Sequence, residues 1–442
     1  MAGILLVNPP FYRLWGSHYN GMMLGIASLT AVLREAGHDC WMLNADFEPH
    51  DNYLPTRQIH DNATGASGWM PPREQLHKEI VAAILSFAPD WVGYSCFSAN
   101  YGEVAAIAAA VGIANPSIRQ IIGGPHAAVD DDAAERMGYI RHQFRGEAEE
   151  SLVAAIANHA AAHKTITSSR IENLDKLPFI DRTHWWSLRC QPMQEGELSH
   201  VNVCYISTAR GCPYCCAFCA APRLWSRKVT YRSVEHVLRE WRLLNGIDVS
   251  PQADAIHVVD DTFTFNKPRA LKIMQGLVDE WLCRPWKCES RADAIDAEIA
   301  DAMKRSGCIR VKIGFESGSV RMLEQLRKQE SKDQMRQAVR ILKDRGIAVT
   351  GYWIAGYPGE TDDDLRQTID FAKSLNLDTY SLNMFAPYPG SLLHEMAHGE
   401  WNHFVAESPE ALFGQSRVRE INPNLSESLL EEYWALDTRS TA

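Results

Sequence analysis

Residues 210–219 read Arg210-Gly211-Cys212-Pro213-Tyr214-Cys215-Cys216-Ala217-Phe218-Cys219, which places four cysteines within eight residues. Cys212, Cys216 and Cys219 form a C-x3-C-x2-C set. Three thiolates hold a [4Fe–4S] cube by three irons and leave the fourth iron open. A structural zinc or a purely electron-transferring cluster usually takes four protein ligands, and no second cysteine pair lies nearby to supply one. An open iron is a place for a substrate or cofactor to bind, so the spacing points to chemistry. Cys215 adds a fourth thiol and reads as a bystander.

The cysteines directly follow a strand-like run that begins at Val201. Further strands are predicted at 255–259, 286–290, 310–314, 348–353 and 379–384, with helices between them. Ser233 is placed to cap a helix over 234–245. Thr361, followed by Asp362, Asp363 and Asp364, starts another that runs to about 375, with a side-chain acceptor and first-turn acids for the orphan N–H groups. Six βα units are too few for a closed eight-fold barrel. The expectation is a partial (β/α)6 TIM barrel with its chemistry at the carboxyl ends of the strands.

Residues 1–165 show a separate βα series, with strands predicted at 3–8, 39–43, 91–94, 118–122 and 140–144 and helices at 22–36, 74–87, 102–114 and 147–162. Short apolar strands separated by helices imply a parallel sheet covered on both faces, here a flavodoxin-like (Rossmann-like) doubly wound domain. The stretch 46–73 reads as a long loop over the sheet edge, 166–199 (with Trp185 and Trp186) as an inter-domain linker, 200–400 as the barrel, and 401–442 as a loop with a short helix.

Composition narrows the classes. A formal net charge of -11 argues against a nucleic-acid-tracking surface. No run of about 18 apolar residues suggests a membrane span, and Gly3 to Val7 leads straight into Asn8-Pro9-Pro10, unlike an export signal. Eleven cysteines, an odd number scattered except for one cluster, read as a reducing cytoplasm.

The cysteine spacing with an aromatic before its last member resembles the radical S-adenosylmethionine (SAM) enzymes. The resemblance extends over about 200 residues: Asp260-Asp261-Thr262-Phe263 after the second strand, Arg291 after the third, Gly314-Phe315-Glu316-Ser317-Gly318 after the fourth, Gly351 to Glu360 at the fifth, and Tyr388-Pro389-Gly390 after the sixth. It implies that Cys212, Cys216 and Cys219 ligate the cluster, that SAM chelates the open iron, and that one electron cleaves SAM to a 5′-deoxyadenosyl radical. It implies SAM contacts at the Phe218 backbone, Asp260, Arg291, Glu316, Ser317, Ile354, Ala355 and Gly356. Asp260 reads equally as a helix cap, and Arg291 equally as a salt-bridge partner.

The N-terminal domain resembles the cobalamin-binding domain fused to radical SAM cores. The resemblance rests on Asn8-Pro9-Pro10, Leu24 to Leu29, Leu33 to His38, Val92 to Ser95, Gly123-Gly124-Pro125-His126 and Arg145-Gly146-Glu147. Ser95, Ser98, Gly123, Gly124 and Gly146 are then expected to meet the corrinoid. The D-x-H-x-x-G cobalt-ligand motif is absent, because Gly16 stands where its Asp would be. Neither His18 nor His126 is therefore expected below cobalt.

These resemblances imply a cobalamin-dependent methyltransferase acting on a small molecule, served by a low-potential donor of flavodoxin or ferredoxin type. Alternatives are non-methylating radical chemistry (ring formation or contraction, or aminocarboxypropyl transfer) beside an empty cobalamin-like domain, and an iron–sulfur or cobalamin sensor. A methylthiotransferase is disfavoured by the lack of a second three-cysteine cluster.

Overall fold

The computed structural model describes residues 1–17, 19, 21, 23–47, 54, 56–63, 67–68, 70, 72–158, 164–180, 182, 203–245, 254–396 and 422–437. The first sheet contains β1 (Gly3–Asn8), β2 (Asp39–Asn44), β3 (Trp91–Ser95), β4 (Arg119–Gly123), β5 (His142–Arg145) and β6 (Lys164–Thr167). All pairings are parallel, in the order β2-β1-β3-β4-β5-β6. Alternate residues of β1 feed opposite cores: Leu5 and Val7 pack with Val92, Tyr94 and Ile107, whereas Ile4 and Leu6 pack with Trp91, Ile121 and Phe144. This two-sided burial explains the unbroken apolar run at the start of the chain.

β6 is a strand where the periodicity lapses. Among the described residues it lies at the sheet edge and pairs with β5 alone, so Lys164-Thr165-Ile166-Thr167 carries no long apolar signature. The preceding helix ends at Ala157, short of the expected 162.

The second sheet contains β7 (Val203–Ile206), β10 (Ala255–Val258), β11 (Trp286–Ser290), β12 (Cys308–Glu316), β13 (Ala348–Ala355) and β14 (Thr379–Met384), each parallel to the next in chain order. Among the described residues β7 and β14 do not pair with each other, which leaves the barrel open. A small antiparallel ribbon joins β8 (Ala209–Arg210) to β9 (Thr230–Tyr231) at the rim. Helix caps form at the predicted residues. Ser233 Oγ accepts from His236 N at 3.1 Å, and Thr361 with Asp364 makes a reciprocal capping box. The helix Glu427–Trp434 is anchored by the buried Tyr433, whose hydroxyl donates to Asn383 O at 3.0 Å. Among the described residues no helix is long and apolar enough to cross a membrane.

Between the sheets, Leu177, Pro178, Phe179 and Ile180 line an inter-domain cavity, and the Phe179 ring stacks on His236 at 4.5 Å. Trp185, Trp186, Cys190 and His18 lie outside the described residues.

Candidate active site

The cysteine loop leaves the carboxyl end of β7 and is fixed at several points. Asp260, at the end of β10, accepts from Thr208 N at 2.6 Å, from Ala209 N at 3.0 Å and from the Thr208 hydroxyl. The Asp260 carboxylate is buried and spent on holding the entry of the loop, because three donors lie 51 or 52 residues upstream, where spacing cannot show them. Its neighbour Asp261 instead lines the cavity, and burial pushes its pKa up to about 6. Gly211 has φ +106°, and a Cβ there would lie 2.2 Å from Lys228 O, so only glycine fits. Mid-loop, Ala217 N donates to Leu326 O and Ala217 O accepts from Leu393 N, both at 2.9 Å.

Cys212, Cys215, Cys216 and Cys219 are all half-buried. Burial raises the thiol pKa values of Cys212 and Cys216 and pushes Cys219 up to about 12, while Arg291 and Lys328 pull Cys212 and Cys216 down. Among the described residues no three His, Cys, Asp or Glu side chains converge on a single-ion site. Three half-buried thiols on one rim loop, with two buried cations to offset thiolate charge, fit a cube held by three of its irons.

Those cations belong to a buried network. Arg291 donates to Asp293 through two bonds of 3.0 Å and to Lys328 O at 2.9 Å, and it lies 3.4 Å from Glu330. It also faces the Tyr214 ring, 3.8 Å from the centroid. Arg291 therefore makes the salt bridges that the sequence also allowed. Lys328 lies 3.5 Å from Glu316 and 3.2 Å from Glu330. Glu316 sits at φ +65°, beside a register shift between β12 and β13, and burial raises its pKa. A non-glycine residue held there marks a strained, over-determined position. Sequence reasoning missed Lys328, because Leu326-Arg327-Lys328-Gln329-Glu330 reads as a solvated helix end.

Ser317 follows β12 directly. It is fully buried, its hydroxyl lies 3.0 Å from Thr368 Oγ1 and accepts from Ser319 N at 3.2 Å, so it braces a turn. Phe218 and Ile354 come together on one apolar cluster with Tyr357 and Phe385. Gly356, at φ +86°, donates its N–H to Glu360 Oε2 at 2.6 Å.

Two adjoining cavities connect the domains. One, of about 440 Å³, runs from Ser95, Gly123 and Gly146 to Gly211 and Asp261. The other, of about 670 Å³, is lined by Phe11, Tyr12, Tyr19 and Ser98 and, across the interface, by Ala220 and Tyr388. Gly25, Ser95 and Gly124 border both. A Cβ at Gly25 would meet nothing within 4 Å, and one at Gly123 only Phe144 Cβ at 3.9 Å, so these glycines keep the cradle open. Gly124 is different: at φ +94°, a Cβ would lie 2.8 Å from Cys96 O. Ser98 Oγ lies 3.0 Å from Nδ1 of the buried His126, which itself lines neither cavity. A cavity with small residues at a sheet edge and aromatic walls fits a corrinoid with an extended tail.

The fold and site define a two-domain enzyme whose cysteine loop and glycine-lined sheet edge meet at one shared cavity. Residues 206–372 match the Radical SAM superfamily and residues 17–156 match the B12 binding domain. The chain belongs to the radical SAM enzymes that carry a B12-binding domain. It is 29% identical to an uncharacterized methyltransferase of Pyrococcus horikoshii, over 89% of this chain and 83% of that protein. It is 24% identical to the cytidylyl-2-hydroxyethylphosphonate methyltransferase of Streptomyces wedmorensis, covering 84% of this chain and 76% of the relative. The fold matches the radical SAM methyltransferase TsrM of Kitasatospora setae with a TM-score of 0.67 at 17% identity, over 100% of this chain and 92% of that one.

Proposed function

We propose that this chain is a cobalamin-dependent radical SAM methyltransferase acting on a small molecule. The carrying observation is that one continuous cavity is bordered by Gly123 and Gly146 of the first domain and by Gly211 and Asp261 beside the cysteine loop. When bound, the [4Fe–4S] cluster with SAM supplies a radical and cobalamin supplies the methyl group. The protein's part is placement. Cys212, Cys216 and Cys219 hold the cluster, and Lys328 with Arg291 offsets its thiolate charge. Phe218, Ile354 and Gly356 form the wall for adenine, and Asp261 offers a carboxylate at the rim for a cationic group. Ser95, Ser98, Gly123, Gly124 and Gly146 shape the corrinoid cradle. Two relatives are named as methyltransferases, and the structural neighbour TsrM is described with cobalamin and a [4Fe–4S] cluster bound. A low-potential flavodoxin or ferredoxin as electron donor, and a cytoplasmic setting, complete the reading.

The test is anaerobic purification with cobalamin supplementation, followed by iron, sulfide and corrinoid quantification and a methyl-labelled SAM assay. One corrinoid and four irons per chain, with SAM consumed under reduction, are expected. Corrinoid far below one per chain would sink the methyltransferase reading and leave the radical core standing.

A further inference from the structure

The residue immediately before the Gly211-Cys212 step reaches out of its own domain. Arg210 donates to Glu147 Oε1 at 2.9 Å, to Glu149 Oε1 at 2.7 Å and to Ser28 Oγ at 3.3 Å, all in the N-terminal domain. Ser28 in turn donates to Glu149 Oε1 at 2.9 Å. The second oxygen of Glu147 is taken by Arg170 Nε at 2.9 Å and Ile171 N at 2.7 Å. Arg170 then closes the circuit. It donates to Arg210 O at 3.0 Å, to Trp225 O at 2.9 Å and to Lys228 O at 3.1 Å, on both sides of the cysteine loop. Glu147 and Glu149 are buried, and two guanidinium groups balance two carboxylates. Ser28, Glu147, Glu149 and Arg210 all border the 440 Å³ cavity.

We infer that Arg210 is a positioning residue through which the N-terminal domain sets the geometry of the cysteine loop. A planar guanidinium that gives one nitrogen to each of two carboxylates fixes direction as well as distance. Arg210 is two residues from Cys212, and its backbone lies in the β8–β9 ribbon, so movement of the carboxylates is passed to the first thiol. Any group that fills the cavity rests against the same side chains, which couples its presence to the loop. The inference uses the reading of Cys212, Cys216 and Cys219 as cluster ligands, but its principal measurement does not.

The experiment uses the full chain, reconstituted anaerobically, with Glu147→Gln, Arg210→Lys and Ser28→Ala variants. Hydrogen exchange at residues 209–219 is compared with that at the buried strand β3, together with the EPR spectrum of the reduced cluster. Glu147→Gln, distant in sequence from the loop, is expected to raise loop exchange about five-fold or more while β3 is unchanged. It is also expected to shift the EPR g-values, and Arg210→Lys to fall between it and the unaltered protein. Ser28→Ala, a mild change, should move both readouts in the same direction. Unchanged loop exchange in Glu147→Gln, or equal increases in loop and β3, overturns the inference. If Glu147→Gln does not fold, Ser28→Ala decides by the same two criteria. Absence of iron in the unaltered protein would instead refute the cluster reading, with the exchange result still deciding this one.

Discussion

The guanidinium of Arg291 lies face-on to the ring of Tyr214, 3.8 Å from its centroid. Tyr214 sits inside the cysteine loop, and Arg291 is held from behind by Asp293, Glu330 and the Lys328 carbonyl. Arg291 thereby braces the loop that carries the three cysteines.

Arg291→Ala leaves Glu330 buried beside Lys328 alone and frees Tyr214. Breaking a buried ion pair from one side costs about 3–5 kcal/mol. Denaturant unfolding should show a loss of that order, and iron content after reconstitution should fall. Full iron content with unchanged stability would contradict the bracing role.

Cys216→Ala should abolish cluster-dependent SAM cleavage, since two thiolates cannot hold the cube with its fourth iron open. Cys215→Ala should keep four irons per chain and normal cleavage. Iron and 5′-deoxyadenosine measurements on both variants check this, and cluster loss in Cys215→Ala would show that the extra thiol matters.

Glu360 is buried against the Gly356 turn, and burial pushes its pKa up to about 8 from 4.5. The folded state therefore binds a proton more tightly than the unfolded state. The stability this proton contributes is full below pH 4.5 and is lost as pH rises through about 8. Glu360→Gln should remove that part of the slope between pH 4.5 and 8. Urea midpoints across this window test it, and an unchanged slope would refute it.

Gly123→Val and Gly25→Leu should fill the cradle with little effect on folding, because a Cβ at either position meets open space or ordinary contact. Equilibrium binding should show cobalamin affinity weakened about ten-fold or more, a loss of roughly 1.4 kcal/mol. Gly124→Ala should instead destabilise the fold, since its Cβ would crowd the Cys96 backbone at positive φ. Cobalamin affinity unaltered in both cradle variants would place the ligand elsewhere.

What is local or periodic was legible along the chain. Strand and helix order follows from apolar runs separated by helical patterns, and the caps at Ser233 and Thr361 follow from side chains meeting amides three residues away. The cysteine triplet lies on one loop, so its spacing alone carries its chemistry. β6 escaped because a four-residue edge strand needs no long apolar run. The pairing of buried polar residues depends instead on contacts between distant segments. Asp260, Arg291 and Ser317 take partners from Thr208, Glu330 and Thr368, far along the chain. Lys328 and the Arg210 hub were invisible for the same reason. A buried charge is placed by whichever opposite charge the fold brings to it, and that pairing has no period along the chain.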